Sequence, residues 1–265
     1  MVRALIQHLR PRLGVVAIDL NADLGEGYGV WRLGDDEALL GVVTSANVAC
    51  GFHAGDPLIM RQVCELAVAR GVVIGAQVGY PDLRGFGRRR IDVEPDELSA
   101  DVLYQIGALD ACARSAGAEV RYVKPHGALY NTAAVERAAA DAIVAAIASF
   151  GVLPVLGLPG SALAIAAHER RLPFITEGFA DRAYRPDGRL VPRRERGAVI
   201  SDPEEVVGRS VRLARDGQVE AIDGSVVCVD VRTLCLHGDT PGAVVLAQRV
   251  RDALTEAGVA IEPFT

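Results

Sequence analysis

Short β-branched runs alternate with longer stretches of helical periodicity along this chain. The apolar runs predict strands at Val15–Leu20, Thr44–Ala49, Val72–Ala76, Val120–Lys124, Val152–Leu156, Phe174–Gly178 and Thr233–His237. The helical patterns fall at about 57–70, 95–116, 134–149, 160–170, 203–216 and 241–257. Asp56-Pro57 and Asp202-Pro203 place proline at the first helical position, and Glu94-Pro95 fits the same role. Gly71, Gly117, Gly151 and Gly258 stand where helices should stop. About seven strand-helix units predict an α/β chain with a parallel sheet. Such a sheet closes into a barrel or stays open and doubly wound. Residues 219–232 read as an inserted hairpin turning at Asp223-Gly224, residues 1–12 as a loose N-terminal extension, and 13–265 as one domain.

In either parallel architecture the strands' C-terminal ends converge on one face, where ligands bind. The polar, glycine-rich segments all fall at those ends or in the loops just after them. Asp19, Asn21 and Asp23 leave the first strand at alternate positions and so share a side. Asn47 ends the second strand and His53 precedes a helix that Asp56 caps. The loop from Gly75 to Arg90 carries four arginines, of which Arg84 and Arg88 are candidates to clamp an anion and Arg90 reads as solvated. Lys124, His126 and Asn131 lie together after the fourth strand, Glu177 and Asp181 after the sixth, and His237 at the end of the last. His8 and His168 have no such setting and read as surface.

Composition narrows the classes. The 265 residues are 50% hydrophobic and carry a formal net charge of -6, which argues against a nucleic-acid binder. Five cysteines, none in a CxxC pair, suit a reducing compartment, and Cys50 reads as a buried thiol rather than a nucleophile. The first dozen residues lack a signal-peptide pattern and no apolar run reaches membrane-spanning length, so the expected location is cytoplasmic. Lys124 is the sole lysine among 28 basic residues, and asparagine occurs only at Asn21, Asn47 and Asn131. A biased base composition accounts for the general depletion. It does not account for which positions keep the rare types, and all four lie in the chemistry-bearing segments. A compact ammonium or a neutral amide is not replaceable by a guanidinium. The glycines form neither a dinucleotide fingerprint nor a phosphate-binding P-loop, since Val30 stands at the third-glycine position and Pro125 follows Lys124.

Six motifs taken in order, DLNADLGEGYG, SANVACGFHAGDP, GYPDLRGFGRR, YVKPHGALYN, EGFADRAY and LHGDTPGAV, resemble the LamB/YcsF family from Ile18 to about Ala243. The resemblance implies a seven-stranded (β/α) barrel related to glycoside hydrolase/deacetylase barrels. It also implies ATP-dependent opening of 5-oxoproline to L-glutamate, with ATP as cosubstrate and two further 5-oxoprolinase subunits as partners. One position departs: Gln77 stands where the family pattern usually has histidine. On this reading Asp23 or Asp19 activates water, and His53, His126 and His237 transfer protons. Lys124 stabilises developing negative charge, Arg84 or Arg88 holds the substrate carboxylate, and Asn21, Asn47 and Asn131 orient these groups. Glu177 and Asp181 complete the substrate pocket. Whether a metal is held is open, with Asp23, His53 and His126 as candidate ligands. The alternatives are a stand-alone metal-dependent deacetylase or amide hydrolase, and a non-catalytic ligand-binding subunit.

Overall fold

The structure, a computed structural model, describes residues 16–236 and 242–265. The predicted N-terminal extension and His237 lie outside the described residues. Seven parallel strands close a barrel: β1 (Ala17–Leu24), β2 (Ser45–Ala49), β3 (Val73–Val78), β4 (Tyr122–Pro125), β5 (Val155–Gly157), β6 (Phe174–Phe179) and, after a hairpin, β9 (Thr233–Leu236). Each strand pairs with the next, and β9 pairs with both β6 and β1, so no barrel edge is left open. Of the two architectures open from the sequence, closure is the one adopted.

The predicted helix starts hold. In α2 (Pro57–Arg70) the Asp56 carboxylate accepts from the amides of Leu58 and Ile59, and in α7 (Pro203–Asp216) Asp202 accepts from Glu204. Gly71 ends α2 in the left-handed region at φ 67°. Between these come α3 (Pro95–Ser115), α5 (Arg137–Phe150) and α6 (Ala162–Glu169), and α8 (Ala243–Glu256) follows β9. Two helices are additions to the pattern read from sequence: the short α1 (Asp36–Leu40), and α4 (Gly127–Val135), which begins directly after His126. The hairpin is β7 (Gln218–Glu220) and β8 (Val226–Cys228), antiparallel as expected. A final strand, β10 (Ala260–Ile261), joins β1 outside the barrel, and Phe264 stacks edge-on against Tyr122, 5.1 Å between ring centres.

The helices cover an apolar outer wall made by one set of strand positions, including Ile18, Leu20, Ala22, Ala46 and Val48. The other set points into the lumen. That set is polar: Asp19, Asn21, Asp23, Ser45, Asn47, Gln77, Lys124, Glu177 and Thr233 are all buried. Buried polar atoms stabilise a fold only when bonded to one another, so this barrel is held from inside by a hydrogen-bonded network. Gly75 belongs to the same inward set, and the Tyr122 ring occupies the space a β-carbon would fill there. Among the described residues, no helix is long and apolar enough to cross a membrane.

Candidate active site

The register of β1 against its two neighbours builds the site in layers. Asp19 lies opposite Thr233, Asn21 opposite Cys235 and Ser45, and Asp23 opposite Asn47. In the lowest layer the Asp19 carboxylate accepts from the hydroxyls of Thr44 (2.7 Å), Ser45 (2.6 Å) and Thr233. Burial pushes its pKa up to about 6 against the opposing pull of those three hydroxyls. Above it, Asn21 donates to Glu177 Oε1 at 3.0 Å and to Thr233 at 2.7 Å. Asn47 donates to Asn21 Oδ1 at 2.6 Å and to Asp23 Oδ1 at 2.9 Å, and the Tyr122 hydroxyl donates to Asn47 Oδ1 at 2.7 Å.

Lys124 crowns this network. Its Nζ lies 2.8 Å from Glu177 Oε1 and 3.1 Å from each of Asp23 Oδ1, Asn21 Oδ1 and Cys235 Sγ. Burial works against the ammonium, but the carboxylates of Asp23 and Glu177, with the Cys235 sulfur beside them, outweigh it, and the pKa is held well above that of a free lysine. The face of Phe179 adds a cation–π contact at 5.7 Å. A guanidinium would not fit among four acceptors this close, which gives the sole lysine of the chain a geometric reason.

Beside the lysine stands a pair of imidazoles. His126, at the start of α4, and His53, in the loop after β2, stack with ring centres 4.1 Å apart and planes inclined by 18°. Phe86 meets both edge-on. Burial pushes His53 down to about 4 and takes His126 well below the ordinary imidazole value, the latter helped by His53 itself. Both rings are therefore neutral at pH 7. Gln77, standing where the family pattern has histidine, faces His53 Nε2 with its Oε1 at 3.2 Å. A carbonyl oxygen can only accept, so this contact is a hydrogen bond in the tautomer that carries the His53 proton on Nε2. Glu26 Oε1 approaches His126 Nε2 at 3.8 Å.

Glu26, His53 and His126 each offer one ligand atom within 4.8 Å of the others. Of the candidate ligands named from sequence, this trio contains His53 and His126, with Glu26 as its carboxylate. The stacking limits what this trio can hold as arranged. An imidazole lone pair lies in its ring plane, and two nearly parallel planes about 4 Å apart do not meet at a common point roughly 2.1 Å from both nitrogens. The donor types suit a divalent ion; the ring orientations do not.

Asp23, Lys124 and His126 open onto a cleft of about 720 Å³ at the C-terminal mouth of the barrel. Asp19, Asn21, Asn47 and Glu177 lie beneath its floor, so Asp19 is a buried support rather than a group in reach of a ligand. The predicted arginine clamp divides. Arg88 lines the cleft and its guanidinium caps the Phe86 ring at 4.9 Å, whereas Arg84 is exposed and not part of the lining. Arg90, read from sequence as solvated, belongs to the lining and pairs with Glu136 at 2.8 Å. Asn131 is on the wall, its amide donating to Gly127 O at 3.0 Å, and Asp181 is half-buried outside the lining. Cys50 is inert, its thiol pushed far up by burial. His168 is on the surface. The sequence reading missed the opposite wall, contributed by the segment after β6, where six arginines fall between 182 and 196. That density was the available signal.

Fold and site together define an α/β-barrel protein with a buried Lys–carboxylate centre and a neutral histidine pair opening onto a cationic cleft. Residues 18–265 match the LamB/YcsF family, and the chain belongs to it. It is 61% identical over 248 residues to a 5-oxoprolinase subunit of Streptomyces coelicolor, covering 93% of this chain and 99% of that protein. The corresponding 5-oxoprolinase subunit of Mycobacterium avium is 58% identical over 251 residues, covering 94% and 100%. Among solved structures, the lactam utilization protein of Thermus thermophilus superposes with a TM-score of 0.89 at 46% identity, covering 94% of this chain and 100% of that one.

Proposed function

We propose that this chain is the lactam-holding subunit of an ATP-dependent 5-oxoprolinase, opening 5-oxoproline to L-glutamate together with two further subunits. The observation that carries the proposal is the Lys124–Asp23–His126 grouping at the base of an arginine-lined cleft. It occurs in a chain about 60% identical, over nearly its full length, to 5-oxoprolinase subunits.

An unstrained amide carbonyl resists attack by water. Coupling to ATP overcomes this if the γ-phosphoryl group is transferred to the lactam oxygen, with ADP leaving. Water then adds to the activated carbon, and the C–N bond breaks as the ring nitrogen takes up a proton. The resulting acyl phosphate reacts with a second water to give the free carboxylate and inorganic phosphate. The sequence has no P-loop, so the partner subunits are assigned the nucleotide and this chain the lactam.

The roles follow from position. His126 is neutral and reaches the cleft, so it can accept a proton from water and return it to the ring nitrogen. His53, held by Gln77, fixes the ring behind it. Asp23 orients the attacking water, and its charge balances the imidazolium that forms. The ammonium of Lys124 has three protons and four acceptors within 3.1 Å, so a lactam oxygen that reaches it displaces one of those acceptors rather than filling a gap. Arg88 is placed to hold the substrate carboxylate. Asn21, Asn47 and Asp19 keep the lysine and Asp23 in place.

The deciding experiment is reconstitution with the two candidate partners, scoring glutamate from 5-oxoproline with and without ATP. Glutamate formation that needs ATP and all three chains is the expected result. A stand-alone metal-dependent amide hydrolase, which the Glu26–His53–His126 trio would serve after one ring turned, predicts instead a stoichiometric divalent metal and turnover by this chain alone.

A further inference from the structure

The cleft carries more positive charge than a 5-oxoproline carboxylate can use. On one wall Arg88 stands beside the histidine pair. Arg182, Arg193 and Arg194 line it as well, while the ammonium of Lys124 at the floor is already matched by Asp23 and Glu177. Arg90, Arg185 and Arg189 also line it, but each is neutralised by an acid: Glu136, Glu195 and Asp187 respectively. Arg193 and Arg194 have no ion pair among the described residues.

The wall is braced rather than loose. Arg182 is 5% exposed and donates to the carbonyls of Val191 (2.6 Å) and Ala198 (3.3 Å), which ties the two sides of the segment together. Arg209, from α7, fastens the segment behind it through Ala180 O and Arg182 O. Tyr184 is buried, and its hydroxyl accepts from the Phe179 amide at 2.8 Å. Burial is the main reason the pKa of Arg182 falls to about 10; the repulsion of Arg193 adds to it, and that of Arg88 less, against the opposing pull of Asp181. Like charges gathered across a concave site at a cost in self-repulsion mark a place for an anion.

We propose that Arg193 and Arg194, backed by Arg182, form a phosphoryl-binding subsite in this chain, next to the lactam position. A phosphoryl group offers two negative charges and three acceptor oxygens, more than a carboxylate does, and two adjacent forked guanidinium groups can meet them. The inference rests on the reading of the cleft as the lactam site and adds to it that the phosphoryl group is held here. Two molecules supply that chemistry: the phosphorylated lactam formed during turnover, and the polyphosphate of the nucleotide.

The test is a calorimetric titration of the full chain, without partners, at near-physiological salt. The probes are inorganic phosphate, pyrophosphate and ATP, each with and without 5-oxoproline. Saturable phosphate and pyrophosphate binding is expected, weakened at least about tenfold in the Arg193→Ala/Arg194→Ala double variant. It should be partly restored by lysine at both positions and unchanged in Arg196→Ala, which alters the same segment outside the cleft lining. If 5-oxoproline tightens phosphate binding and ATP gains nothing over pyrophosphate, the phosphorylated lactam is the occupant. If ATP binds far more tightly than pyrophosphate, it is the nucleotide. Phosphate and pyrophosphate binding that is absent, or indifferent to the double variant, overturns the subsite. Failure of glutamate formation in the reconstituted enzyme would leave the titration standing and count against the function alone.

Discussion

Lys124 Nζ and Glu177 Oε1 meet at 2.8 Å below the cleft floor, with the lysine 3% and the glutamate 0% exposed. The pair joins β4 to β6 across the lumen. The same ammonium also serves Asp23 on β1, so one cation holds three strands of the barrel. Replacing Lys124 by methionine fills a similar volume but leaves two carboxylates buried without their counter-ion. The expected loss of folding stability is about 3–5 kcal/mol, the range for breaking a buried ion pair from one side. Urea denaturation of the two proteins measures it. Lys124→Arg should also lose stability, because a planar guanidinium cannot sit within 3.1 Å of four acceptors fixed around a point charge.

On the proposed mechanism Asp23 and His126 divide the chemistry, and their variants should fail in different ways from the lysine. Asp23→Asn keeps the shape and can still accept from Asn47 and Lys124, so the fold and 5-oxoproline affinity should change little. Turnover by the reconstituted complex should fall by about 10²–10⁴-fold, as expected for loss of a group that places and balances a proton transfer. His126→Gln should show a similar fall. Steady-state kinetics with separate kcat and KM values checks both, and full activity in either variant would remove that residue from the mechanism.

Much of this arrangement was legible in the chain and some was not, for physical reasons. The alternation of Asp19, Asn21 and Asp23 marked one face of a continuing strand, and the retention of a single lysine marked a site needing a point charge. Three features escaped. Helix α4 begins at Gly127 in a segment whose glycine and turn residues read as loop, because its stability comes from packing Leu129, Tyr130 and Ala133 into the core rather than from propensity. Arg84 and Arg88 are four apart in a loop with no fixed periodicity, so sequence could not tell which one faces the cleft. The lumen position of Tyr122 was hidden because tyrosine on a strand reads as an ordinary wall residue. Only the registration of Gly75 opposite it opens the space the ring occupies.

Acidification should reveal two opposing linkages. His53 falls from an ordinary 6.5 to about 4 on folding, and His126 falls as well, so between those values the unfolded chain binds protons that the folded chain does not. Their contribution to stability is complete above pH 6.5 and is lost as pH falls. Asp19 rises from 3.8 to about 6, so over pH 4–6 the folded chain holds a proton that the unfolded chain has released. That effect favours the fold on acidification and is lost as pH rises through 6. Removing Asp19's titration with Asp19→Asn should therefore steepen the loss of stability between pH 6 and 4, and His53→Gln should flatten it. Each change is expected to be about 2–3 kcal/mol across the window, from roughly 1.4 kcal/mol per pH unit of displacement. Denaturation midpoints at four or five pH values decide the signs.

Gln77 offers the sharpest control of the histidine pair. Its Oε1 lies 3.2 Å from His53 Nε2, while its own Nε2 is buried with no hydrogen-bond partner among the described residues. Gln77→Glu changes one atom type, keeps the acceptor facing His53, and removes the unsatisfied amide. A carboxylate at that distance favours the imidazolium against the burial that now suppresses it. The His53 pKa should move upward from about 4 by one unit or more, read from the pH dependence of its ring resonances in NMR. A charge on His53 would then repel a proton from His126 at 4.1 Å in the stacked pair, so His126 becomes a weaker base. Turnover by the reconstituted enzyme should drop most at low pH, where His53 is charged, and recover as pH rises and His53 loses its proton. If His53 shifted while the pH–rate profile stayed fixed, the two rings would not act on one proton, and His126 would have to work without the ring stacked behind it.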